Sequence, residues 1–132
     1  MKHIEDDEQA ALFDWLQIMH PLLFKMAFAI PNGGMRSARE GARLKMQGVK
    51  SGVPDLFIAI STDEYHGLFI EMKKPIVKGE AKARISDSQK EWIDHLLFQG
   101  YQAIVCFGCD EAIKQIQKHY KIVQKMNNRL GV

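Results

Sequence analysis

Asp55-Leu56-Phe57-Ile58-Ala59-Ile60 and Leu68-Phe69-Ile70-Glu71-Met72-Lys73 are two apolar runs separated by the polar stretch Ser61-Thr62-Asp63-Glu64. Runs rich in branched and aromatic residues around a turn-forming spacer predict an antiparallel hairpin. In the second run the side chains alternate faces, so Glu71 and Lys73 project together while Leu68, Ile70 and Met72 point the other way. Burying a carboxylate there is costly unless something compensates it. A hard divalent cation does so, because Mg²⁺ takes oxygen ligands, commonly one or two carboxylates with waters and phosphate oxygens. Register decides whether Asp55 joins the pair. If opposed residues carry numbers with an even total, such as 126, Asp55 faces Glu71; an odd total sends it to the other face. Two carboxylates and a lysine on one sheet face are the parts of a metal-dependent phosphodiesterase. The bland alternative is a Pro-Asp turn before a strand and a solvated Glu-x-Lys face.

Helices are expected on both sides of this hairpin. From Asp6 to about His20, Ala11, Leu12, Trp15, Leu16 and Met19 recur at helical spacing, with Glu8 on the same stripe. Glu8 is open to two readings, an inward carboxylate needing a partner or, with Asp6 and Asp7, a complement to the positive helix end. Gln89 is equally double: Ser86 and Gln89 have capping-box spacing, and Gln89 also lies one turn before Trp92 and Ile93 on the inward stripe. The coarse order is helix (about 6–20), strand (about 22–30), helix (about 36–47), the two motif strands, helix (about 87–99), strand (about 101–107) and helix (about 110–126). Gly48 and Gly100 fall where helix C-terminal caps are expected, and Asp110 where a helix start is.

At 132 residues and 46% hydrophobic, the chain (residues 1–132) reads as one domain with ample material for a core. No apolar run approaches the roughly 20 residues of a membrane span, and charged residues follow Met1, so a cytoplasmic protein without membrane contact is expected. The net charge of +2 announces no nucleic-acid binder by itself. Its distribution says more, since Arg36, Arg39, Arg43, Lys45 and Lys50 stand before the motif, and Lys73, Lys74, Lys78, Lys82, Arg84 and Lys90 from its end onward. Phosphate contacts supply much of DNA affinity, which makes Arg36, Lys50 and Lys74 the candidate DNA-binding residues.

Four stretches occur in a telling order: Ile30-Pro31-Asn32-Gly33-Gly34-Met35-Arg36; the run from Lys45 to Leu56 containing Gly52-Val53-Pro54-Asp55; Gly67-Leu68-Phe69-Ile70-Glu71-Met72-Lys73; and Ile85-Ser86-Asp87-Ser88-Gln89. Together they resemble the VRR-NUC family, the virus-type replication-repair nucleases of the PD-(D/E)XK superfamily, and among them the compact stand-alone phage and bacterial type. The resemblance implies a restriction-endonuclease-like α/β core, a mixed central β-sheet flanked by α-helices. It implies a Mg²⁺- or Mn²⁺-dependent endonuclease that hydrolyses DNA phosphodiesters. Asp55, Glu71 and the backbone carbonyl of Met72 match the metal ligands, Lys73 the lysine that orients or activates water, Gln89 the glutamine of the following helix, and Glu8 the first-helix glutamate, a metal ligand directly or through water. Stand-alone relatives imply a homodimer acting on branched DNA such as a four-way (Holliday) junction; fused relatives imply a monomeric flap or nicking nuclease. The charged stretch between Lys74 and Ser86 is longer than the loop expected of this family.

Other classes are weighed on their own residues. Cys106-Phe107-Gly108-Cys109 is a C-x-x-C between strand and helix, the position of a redox pair, but too little chain follows for a thioredoxin-like fold. No second cysteine pair exists for zinc, and the five histidines show no metal-ligand spacing. A non-catalytic DNA-binding or assembly module is a further alternative, which the complete set of expected catalytic residues argues against.

Overall fold

In the computed structural model, which describes residues 3–31 and 37–122, the chain order is α1 (Ile4–Met19), α2 (Pro21–Met26), β1 (Ala27–Ala29), α3 (Ala38–Met46), β2 (Leu56–Ile58), β3 (Leu68–Lys73), α4 (Asp87–Phe98), β4 (Gln102–Phe107) and α5 (Cys109–His119). The hairpin forms in the even register: Leu56 pairs with Ile70, Phe57 with Phe69 and Ile58 with Leu68. β1 adds antiparallel to β2 and β4 parallel to β3, so the sheet is mixed, in the order β1-β2-β3-β4.

Alternation then sorts the two faces. Leu56, Ile58, Leu68, Ile70, Met72 and Cys106 are buried with Leu12 and Leu16 of α1 and Ala112 and Ile116 of α5, forming the core. The opposite face carries Phe28, Phe57 and Phe69 in a row, with Phe57 and Phe69 stacked at 4.2 Å between ring centroids, and then Glu71 and Lys73. α4, the crossover between the parallel strands β3 and β4, lies over this second face and brings Gln89 against Glu71 and Lys73.

The strand expected over 22–30 is instead a helical turn, Pro21–Met26, followed by a three-residue strand. Pro21 suits the first helical position, and the turn buries Leu23 and sets Phe24 edge-on to Phe13 at 6.5 Å, leaving Leu22 and Met26 exposed. A short run that is apolar throughout fits either period, and packing on α1 decides. The last helix is shorter than expected at its described end, giving way after His119 to Lys121 at φ 54°, and it starts on Gly108 rather than on a side-chain cap from Asp110. Gly100 ends α4 as expected: at φ 91° it lets its own N–H reach Leu97 and that of Tyr101 reach Leu96, and Gly48 closes α3 by the same pattern.

Candidate active site

Asp55 stands one residue before β2, and its Oδ2 accepts the N–H of Met72 at 2.6 Å, adding a side-chain rung where the ladder ends. Peptide groups along a strand face alternate neighbours, and Lys73 turns its carbonyl to Gly108 beyond β4. Met72 therefore turns its carbonyl to the β2 side of the strand, the side on which its N–H meets Asp55.

Glu71 is 3% exposed and Lys73 8% exposed. Lys73 Nζ donates to Gln89 Oε1 at 3.0 Å, Gln89 Nε2 donates to Glu71 Oε2 at 3.1 Å, and Lys73 Nζ lies 3.7 Å from that same oxygen. Gln89 Oε1 also accepts the N–H of Ser86 at 2.9 Å, while Ser86 Oγ accepts the N–H of Gln89 at 3.2 Å. Both readings of Gln89 hold at once. Its amide closes the capping box of α4 and joins the lysine to the carboxylate, and only this amide orientation sets the oxygen against two donors and the nitrogen against the carboxylate.

Burial first, and after it the like charge of Asp55, push the Glu71 carboxyl up to about 8 against the opposing pull of Lys73. Glu71 Oε1 is buried and has no hydrogen-bond partner among the described residues. Among the described residues no three His, Cys, Asp or Glu side chains form a cage for a metal ion. An ion such as Mg²⁺ needs none, since one or two carboxylates, a carbonyl and waters complete its shell. Crowded carboxylates and an orphaned buried oxygen fit a divalent cation.

Glu8 is placed differently from the other site candidates. It is half-buried, and its Oε1 accepts the N–H of Cys109 at 2.8 Å, tying α1 to the start of α5. The first-helix carboxylate whose charge acts on Glu71 is Glu5, one turn earlier on the same helix face. Sequence reading passed over Glu5, although its three-residue offset from Glu8 was the available signal. It also passed over Gly52, at φ 88°, where a Cβ would lie 2.8 Å from the Ser88 carbonyl carbon and oxygen. The loop leading to Asp55 thus lies flat on the first turn of α4, next to Gln89. Lys50 is exposed in that loop and Lys74 is half-buried just past Lys73, whereas Arg36 lies outside the described residues.

A family model of the VRR-NUC domain matches residues 5–110. The chain belongs to the VRR-NUC family. A solved structure described as a VRR_NUC domain protein is 34% identical, covers 92% of this chain and 92% of its own, and superposes with a TM-score of 0.75. No curated protein matches. The four-stranded mixed sheet with flanking helices is the restriction-endonuclease-like α/β fold of VRR-NUC proteins. Membership implies a nuclease of the PD-(D/E)XK type with DNA as substrate, in a family that generally uses divalent metals.

Redox chemistry finds no support in the thiols of the C-x-x-C. Burial raises both: Cys106 in the core is pushed up to about 12, and Cys109 is raised as well, with Glu8 and Asp110 adding to the effect. A reactive pair needs the reverse shift. No helix among the described residues is long and apolar enough to cross a membrane.

Proposed function

We propose that this chain is a Mg²⁺- or Mn²⁺-dependent DNA endonuclease of the cytoplasm that acts as a homodimer on branched DNA, in the manner of a Holliday-junction resolvase. The observation that carries the reading is the buried, unpartnered Oε1 of Glu71 beside Asp55 and Lys73. Asp55, Glu71 and the Met72 carbonyl would hold the cation, with Glu8 or its helix neighbour Glu5 contributing through water. The cation, when bound, polarises the phosphate and lowers the pKa of a coordinated water. Lys73, held by Gln89, orients the attacking water and stabilises the negative charge that develops on the phosphate. Gln89 keeps the lysine and Glu71 apart and aligned, and Gly52 seats the loop that carries Asp55. Lys50 and Lys74, with Arg36, would contact DNA phosphates. Exposed Ile18, Met19 and Leu22, clustered where α1 meets α2, support a surface for the second copy.

The test is cleavage of labelled linear duplex, flap and four-way-junction DNA with Mg²⁺, Mn²⁺ or EDTA, beside Glu71→Ala and Lys73→Ala. Metal-dependent cutting, strongest on the junction and abolished in both variants while Lys73→Ala still binds DNA, is the expected result. Preference for flaps by a monomer in sedimentation moves the assignment to a flap nuclease, and retained cutting by Lys73→Ala refutes the site.

A further inference from the structure

We propose that the β3–α4 connection, residues 74–86, holds an apolar wedge, Ile76 and Val77, that enters the base stack of distorted DNA beside the catalytic carboxylates. The inference rests on the nuclease reading and names how that same site selects a DNA structure.

Ile76 is 57% exposed and Val77 46% exposed, adjacent aliphatics in a loop that is otherwise largely charged or small. A lone exposed aliphatic is ordinary surface. These two stand on a built support. Pro75 packs against the backbone at Gly108, where a Cβ would lie 3.0 Å from the proline ring. Lys82 sits 4.5 Å from the centroid of the Phe107 ring. The tip between them is closed by the N–H of Glu80 on the carbonyl of Val77 at 3.0 Å, with Gly79 at φ 85°. Both legs are fastened to the end of β4, so presenting the tip to a partner costs little ordering entropy.

Position and charge name that partner. Ile76 follows Lys73 by three residues, which places it within roughly 10 Å along the chain, or about three base steps, of the catalytic lysine. Lys74, Lys78, Lys82 and Arg84 surround the pair against Glu80 alone, a setting for phosphates on either side of an inserted side chain. On the α5 side, Ile76 borders a cleft of about 550 Å³ lined in part by Glu8, Asp110, Glu111 and Lys114, whose acidic balance turns the phosphate backbone toward the lysine side. Aliphatic side chains are used as wedges between base steps, and the unstacking they require is least costly where pairing is already interrupted. Such a wedge favours branch points over continuous duplex.

The experiment uses the full chain as wild type, as the double variant Ile76→Ser, Val77→Ser, and as the size-conserving Ile76→Leu, Val77→Leu. Each is mixed with a four-way junction and a linear duplex of the same sequence, carrying a fluorescent base analogue at the branch, and is followed for base unstacking in Ca²⁺ and for cleavage in Mg²⁺. The expected result is brightening at the branch with wild type and the leucine variant. The serine variant should lose the brightening and at least about tenfold of the junction-over-duplex preference, with its duplex rate kept. Unchanged brightening and preference in the serine variant overturn the wedge, as does its loss of self-association in sedimentation, which would assign the tip to a second copy of the chain. Brightening by wild type without any cleavage would refute the nuclease and leave the wedge standing; neither brightening nor cleavage refutes both.

Discussion

Glu71→Gln should stabilise the metal-free protein. The side chain is 3% exposed and its carboxyl stands at about 8 against an ordinary 4.5, because desolvation, and after it Asp55, outweigh Lys73. Between those values the folded state holds a proton that the unfolded chain has released. Stability therefore falls as the pH rises from 4.5 toward 8, and the full penalty is present only above the folded value. Each unit is worth about 1.36 kcal/mol, so at about pH 7.5, where the folded state still holds most of that proton, the wild type carries a penalty of about 4 kcal/mol that a neutral amide of the same shape does not. For a chain of this length that corresponds to a rise in Tm of roughly 15 °C. Thermal unfolding of both proteins in EDTA, followed by circular dichroism from about pH 5 to about pH 8, measures the gap, which should be small at the acid end and widen with pH. Added Mg²⁺ or Mn²⁺ should raise the wild type, by about 1.4 kcal/mol at tenfold over Kd, and leave the variant nearly unmoved. A variant no more stable than wild type in EDTA at neutral pH, or a gap that narrows as pH rises, would refute the reasoning.

Gly52→Ala should cost about 2 kcal/mol by denaturant unfolding and depress cleavage, since φ 88° and the 2.8 Å approach to Ser88 both resist a Cβ in the loop that seats Asp55. Ser86→Ala removes the oxygen that accepts the Gln89 N–H and should cost about 1 kcal/mol, with a fall in cleavage rate at saturating DNA because Gln89 also holds Lys73. His119 is lowered by burial, with Glu64 opposing, and its Nε2 is buried without a hydrogen-bond partner among the described residues. The unfolded chain thus binds the proton more readily, so stability should fall as pH drops below 6.5, and urea midpoints of His119→Phe should lack that fall.

The strand carrying Glu71 and Lys73 was legible because period-two alternation sets both on one face, whereas Asp55, just before β2, joins that face only through the register. Pro21–Met26 was not, because an apolar run without polar gaps carries no period, and contact with α1 settles it. Gln89 was legible as two alternatives that the fold satisfies together. Glu8 was placed correctly on the inner stripe of its helix, yet which carboxylate of that helix acts on Glu71 depends on where α1 begins relative to the strand ends.

Sequence by itself determined the mixed α/β class, the membership of Asp55, Glu71 and Lys73 in one pattern, and the basic segments around them, all of which are local or follow from motif order. Tertiary structure alone decided the register total of 126, the bond from Asp55 to the Met72 amide, the isolation of Glu71 Oε1, the union of Gln89 with Lys73, and the fastening of the Ile76–Val77 tip to β4. Each of these joins residues distant in sequence or depends on water being excluded between packed elements, and desolvation is a property of the assembled fold that no local pattern encodes.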